Sequence, residues 1–169
     1  MMADEIIVIQ GSTDKENYEQ LIPQINSLIN PDEPIISSLS NVTAALKSAF
    51  KKISWVGFYL LKDETLYLGP FQGKVACTQI KIGSGVCGTS AQTRETIIVE
   101  DVDKFPGHIA CDSKSKSEIV IPLSRDNVLW GVLDLDSYSY SSFNAMDAKY
   151  LNELVKVLVQ KLDFTKIKI

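Results

Sequence analysis

The stretch SEIVIPLSRDNVLWGVLDLD, residues 117–136, reads as two strands folded about a tight turn. Glu118–Leu123 and Val128–Asp136 are rich in β-branched and aliphatic side chains, and Arg125-Asp126-Asn127 between them has turn chemistry. Side chains alternate along a strand, so Val128, Trp130, Val132, Asp134 and Asp136 are expected on one face. An apolar face that ends in two carboxylates is unusual for a core strand. Desolvation and mutual repulsion raise the pKa of at least one such acid, making it a candidate proton donor at neutral pH. Glu118, at the head of the other strand, is a third. The bland alternative puts all three acids at the wet ends of the sheet.

Outward from this hairpin the same alternation recurs. Thr96–Val99 is a short strand, joined to the hairpin through a loop, Asp101–Ala110, that bends at Pro106-Gly107. Gly85–Arg94 reads as a helix whose first turn holds glycines, and Lys74–Ile80 as a strand. Ile53–Leu61 and Leu66–Leu68 form another hairpin. Helical periodicity takes over at the ends. Tyr18, Leu21, Ile22, Ile25, Leu28 and Ile29 lie on one face of Thr13–Asn30, which Pro23 should kink or divide. Leu39, Val42, Leu46, Ala49 and Phe50 mark a second helix, and the last runs from Ser142 to Asp163. Strands joined by short turns, with helices segregated to the chain ends, define an α+β class with a mainly antiparallel central sheet. The expected organisation is one domain over 1–169: helices within 13–50, sheet and active-site core within 53–137, and a C-terminal helix over 142–163.

Composition narrows the function. A formal net charge of −4 with no long basic run argues against nucleic acid or an anionic membrane as the main partner. No apolar run approaches the roughly 18–20 residues that span a bilayer. The first residues, MMADEIIVIQ, are acidic where a secretory signal is basic, so the cytoplasm is the expected location. Thiols stay reduced there, so three cysteines read as reactive groups or buried filler rather than as a disulfide framework.

Those cysteines, Cys77, Cys87 and Cys111, share residues 75–136 with the sole histidine, His108. With His108 they formally make a Cys3His zinc set, but only His108 and Cys111 are close in sequence, and no metal is expected. Cys111 follows Pro106-Gly107-His108 in a loop and precedes two lysines, Lys114 and Lys116. It should therefore be accessible, with a lysine or a helix N-terminus favouring its thiolate. Buried inert filler is the alternative for each cysteine. Residues 83–88, GSGVCG, spell G-x-G-x-x-G, yet a dinucleotide fold needs repeated strand–helix–strand units and this chain is built of hairpins. The better use of that turn is to present helix N-terminal N–H groups to a small anion, such as an amino-acid carboxylate. Trp55 and Tyr59 share a strand face, as core or as pocket wall.

Taken together, GPFQGKVAC (69–77), GSGVCG (83–88), FPGHIACD (105–112), SEIVIP (117–122) and GVLDLD (131–136) closely resemble the free methionine-(R)-sulfoxide reductases, small GAF-fold enzymes. The likeness runs from about Trp55 to Asp147, and all three family cysteines are in place. It implies that Cys111 is the nucleophile, that Cys77 resolves the sulfenic acid to a disulfide, and that Cys87 assists or resolves in its turn. Full activity in a Cys111→Ser variant would move the nucleophile to Cys87. The resemblance further implies that Glu118 and Asp136 polarise the sulfoxide oxygen, Asp134 holds the substrate ammonium, and Trp55 and Tyr59 wall the pocket. It also implies no cofactor beyond reducing equivalents from thioredoxin, a role under oxidative stress, and a homodimer paired through terminal helices. The competing class is a non-catalytic GAF module that binds a small ligand or senses redox state. Such modules usually travel with an output domain, for which 169 residues leave no room. A zinc-stabilised structural protein is the third class.

Overall fold

The computed structural model describes residue 6 and residues 13–167. The outermost parts of the expected 1–169 span therefore lie outside the described residues. Helix α1 is Asp14–Leu28, opened by Thr13 and Glu16, whose side chains each accept from the other's backbone N–H. Pro23 sits inside it and does not divide it: the helix runs on through the proline. Pro23 has no N–H to offer the Glu19 carbonyl, and Glu19 is an exposed residue that water can reach. Helix α2 is Ile35–Ala49, with Pro34 at its N-cap. Strands β1 (Trp55–Lys62) and β2 (Thr65–Gln72) form the first hairpin, and β3 is Gln79–Lys81. Helix α3 is Gly85–Thr93, β4 Ile97–Val99, β5 Ser117–Arg125, β6 Val128–Ser137 and α4 Ala145–Lys161. Single 3₁₀ turns occupy Val102–Lys104 and Phe164–Lys166.

The strands make one six-stranded sheet in the order β3-β2-β1-β6-β5-β4, and every neighbouring pair is antiparallel. Asp126 and Asn127, at φ +52° and +64°, make the β5–β6 turn, a geometry that suits the twist of a two-residue hairpin. One sheet face packs against α1, α2 and α4 through Val56, Phe58, Leu60, Ile119, Ile121, Leu133 and Leu135. The other face carries Trp55, Tyr59, Val120 and Val132 against α3 residues Val86, Cys87 and Ala91. Because both faces are covered, Ser117–Leu123 is buried at every position, and Ile119–Leu123 reads as a continuous apolar run rather than an alternating one.

Two strand expectations are corrected. Lys74–Ile80 is not a strand: only Gln79–Lys81 pairs, and Cys77 lies in the loop before it. The loop carbonyls are bonded by side chains instead, with Trp55 Nε1 donating to Lys74 O (3.0 Å) and Tyr59 Oη to Cys77 O (3.0 Å). Nor does Trp130 share a face with Val132. The β5–β6 register skips it, passing from Leu123↔Gly131 to Ser124↔Leu129. This bulge shifts the alternation by one, so Trp130 stacks on Phe164 at 5.4 Å on the helical side while Leu129 joins the opposite face. Gly131, at φ +154°, permits it, since a Cβ there would collide with the Tyr59 carbonyl.

The helical layer is tied to the sheet by a buried carboxylate. Asp147, in the first turn of α4, accepts from Lys52 Nζ at 2.6 Å, Tyr18 Oη at 3.1 Å and the Asn144 backbone N–H at 3.0 Å. Lys52 also reaches Asp14 at 2.7 Å. Asp147→Ala leaves the Lys52 ammonium with Asp14 alone and the buried Tyr18 phenol without its acceptor, and is expected to cost about 3 kcal/mol of stability. Urea unfolding of the variant against wild type measures it.

Candidate active site

The second face of the sheet does not close over. Between β1, β6, the start of β5 and the N-terminus of α3 lies a cavity of about 520 Å³, counting its open mouth. Its apolar wall is Trp55 and Tyr59, with ring centroids 6.1 Å apart, backed by Phe71 at 5.6 Å from Trp55. Trp55, Gly57 and Tyr59 all point this way along β1. A Cβ at Gly57 would run into the Trp55 ring, so only glycine leaves the indole room to lie across the strand.

The floor is acidic. Glu118 of β5 pairs with Asp136 of β6, and Asp134 lies one pleat along the same face. All three carboxyl pKa values are pushed up, first by burial and then by a neighbouring acid: Asp136 for Glu118, Glu118 for Asp134, Asp134 for Asp136. Asp134 Oδ1 is buried without a hydrogen-bond partner. Among the described residues no lysine or arginine makes an ion pair with any of the three. A buried polar atom left open costs about 1–3 kcal/mol, which a bound cation can return.

The opposite side is the start of α3. Ser84, Gly85 and Val86 line the cavity, and the first N–H groups of a helix have no partner within it. Gly85 enters at φ +60° with Ile109 pressed against it, where any Cβ would come within 3.1 Å. The cavity is thus lined by helix N–H groups on one side and by an acid cluster on the other.

Two loops form the mouth, residues 73–78 and 105–116. Cys77 and Cys111, 34 positions apart in sequence, are joined in a disulfide with Cα atoms 5.5 Å apart. Cys111 is exposed and lines the cavity; Cys77 is half-buried and stands just behind it. Lys74 Nζ bridges the loops to Asp112 at 3.0 Å, and Tyr138 Oη donates to the same carboxylate at 2.8 Å. With the Lys114 N–H foremost, these bonds pull the Asp112 pKa down to about 2. Lys116, offered by the sequence as a thiolate partner for Cys111, instead pairs with Asp103 at 3.4 Å and sits over the Tyr140 ring.

Cys87, on α3, is the remaining thiol, 3% exposed, with its Sγ 4.0 Å from Glu118 Oε1. Burial, then Asp134 and Glu118, hold its pKa up, so it stays a thiol. Since Cys77 and Cys111 are bonded to each other, a Cys3His zinc set is not available in this state. Of the residues singled out from the sequence, Trp55, Tyr59, Cys87, Cys111, Glu118, Asp134 and Asp136 line this cavity, and Cys77 reaches it through its bond to Cys111. Ile80, Ile109 and Ser115 line it too and carried no sequence signal, being ordinary residues placed by their loops and by β3.

The antiparallel sheet, the α3 cavity and the flanking helices define the class, and the GAF domain family matches residues 38–163. The chain is 52% identical over 93% of its length to GAF domain-containing protein A of Dictyostelium discoideum, covering 99% of that protein. It is 43% identical over 92% of its length to the free methionine-R-sulfoxide reductase of Saccharomyces cerevisiae, covering 91% of that enzyme. The X-ray structure of free methionine-R-sulfoxide reductase from Neisseria meningitidis in complex with its substrate superposes with a TM-score of 0.88 at 44% identity, over 95% of both chains. The chain is a GAF-domain protein and belongs to the family of free methionine-R-sulfoxide reductases.

Proposed function

We propose that this protein reduces free methionine-(R)-sulfoxide to methionine, with Cys111 as nucleophile and Cys77 as resolving thiol. The observation that carries the reading is the Cys77–Cys111 bond at the mouth of a cavity floored by three buried acids, one with an unpartnered oxygen. In the reduced protein the Cys111 thiolate attacks the sulfoxide sulfur while Glu118, paired with Asp136, protonates the oxygen. The oxygen passes to cysteine as a sulfenic acid, and methionine sulfur gains two electrons. The Cys77 thiol then displaces that oxygen as water and forms the disulfide. A thioredoxin-type dithiol restores both thiols by exchange, entering at the exposed Cys111 side.

Asp134 binds the substrate ammonium, the start of α3 its carboxylate, and Trp55 with Tyr59 its methylthio end. This explains selectivity for the free amino acid. A peptide-bound residue brings no ammonium, and the buried acid would be left unpaired. Cys87 serves as a protonated neighbour of Glu118 rather than as a nucleophile.

Purified protein with dithiothreitol should form methionine from the R epimer, and none from the S epimer or from a peptide carrying the sulfoxide. Absence of methionine with the R epimer overturns the reductase reading in favour of a ligand-binding module.

A further inference from the structure

Cys111 needs its proton removed before it attacks, and Glu118 needs a proton restored after it has donated one. His108 shares the cavity lining with Cys111 and reaches Glu118. His108 lines the cavity on the loop that carries Cys111, three residues earlier, with its side chain 14% exposed. Its Nε2 lies 3.5 Å from Glu118 Oε2, just outside a short hydrogen bond in a site without substrate. We propose that His108 is a proton relay, taking the thiol proton of Cys111 and delivering it to the carboxylate of Glu118. This rests on the reading of Cys111 and Glu118 given above.

The proton ledger closes with this step and leaves none over. His108 takes H⁺ from Cys111–SH, leaving thiolate. Glu118, which burial keeps as the acid, gives its own proton to the sulfoxide oxygen as the Cys111 sulfur attacks, and His108 then passes the thiol proton to the Glu118 carboxylate left behind. The S–O bond of methionine breaks, a cysteine S–O bond forms, and Cys111–SOH results. Cys77–SH carries its own proton onto the departing water as the disulfide forms. Two thiols and one sulfoxide become one disulfide, one thioether and one water, with no net proton drawn from solvent.

The electrostatic setting suits a base. Burial lowers the His108 pKa, with Asp103 opposing, so the ring is neutral and free to accept. Glu118 from β5 contacts it and Asp103 from the 3₁₀ turn acts on it, while Asp134 and Asp136 of β6 and Cys87 of α3 line the same cavity. One cation of its own loop reaches this setting: Lys116 pairs with Asp103 at 3.4 Å and offsets that carboxylate's charge.

The test is single-turnover methionine formation by the reduced, full-length protein. His108→Ala should lower the rate about tenfold or more, and added imidazole should restore much of it. His108→Asn keeps a hydrogen-bond donor but cannot carry a proton, and should be as slow as His108→Ala. An Asn variant at the wild-type rate, or an Ala variant with no loss, overturns the relay. Cys111→Ser and Glu118→Gln run alongside: if either is fully active, the underlying reading has failed rather than the relay. Should His108→Ala melt well below wild type, reduced wild type decides. Alkylation of Cys111 and the NMR signals of the His108 ring should then titrate with one shared apparent pKa, and independent titrations overturn the proposal.

Discussion

Cys111→Ser is expected to abolish turnover, whereas Cys77→Ser should still release about one methionine per enzyme in a single-turnover experiment and then stop. The difference follows from the order of bond making. A serine at 111 offers no thiolate at neutral pH, so the sulfoxide sulfur is never attacked. A serine at 77 leaves the attack intact and blocks only the escape from sulfenic acid. Position fits these roles: Cys111 is exposed at the cavity, while Cys77 stands behind it, its carbonyl bonded by Tyr59. Cys87→Ser should retain the first product too, because a thiol that burial keeps protonated is a poor nucleophile. Quantifying methionine per enzyme, and trapping the sulfenic acid in Cys77→Ser, checks all three. Full steady-state activity in Cys111→Ser would transfer the nucleophile to Cys87.

Much of this site was legible because its residues violate the local pattern of their strands. Asp134 and Asp136 end an apolar face, and Glu118 opens a buried run; nothing in sheet packing asks for them, so a chemical role was the natural expectation. The helices were legible for the opposite reason, since 3–4 spacing and caps agree with the packing. What was hidden was decided by tertiary partners. The loop at residues 73–78 has strand-like composition, yet Trp55 and Tyr59 side chains hold its carbonyls in place of a strand. Trp130 changed faces because one glycine allows a bulge, a choice invisible without its partner strand. His108 was weighed as a zinc ligand; its contact with Glu118 depends on a loop path that no local pattern fixes.

Asp134→Asn should lose catalysis and gain stability at once. In the resting protein burial, with Glu118 next to it, raises the Asp134 pKa well above its unfolded value. An acid with a raised folded pKa adds stability below the unfolded carboxylate pKa of about 4. That contribution falls away as pH climbs from there through the folded value, because only the unfolded chain gives up its proton. At pH 7 the group is therefore a net burden, and the neutral amide should relieve on the order of 1–3 kcal/mol of it. The Asn variant should melt higher than wild type at pH 7, and the gap should close toward pH 4. Substrate recognition responds in the other direction. The ammonium loses its buried anion, a loss of about 2–5 kcal/mol, so kcat/KM should fall by roughly 30-fold to 1,000-fold or more. Wild-type binding should release a proton as the arriving ammonium ionises the cluster, seen by calorimetry in buffers of different ionisation enthalpy, and Asp134→Asn should release less. An Asn variant that melts lower at pH 7, or keeps wild-type kcat/KM, would mean that the Asp134 carboxylate is already compensated in the empty site and is not the seat of the ammonium.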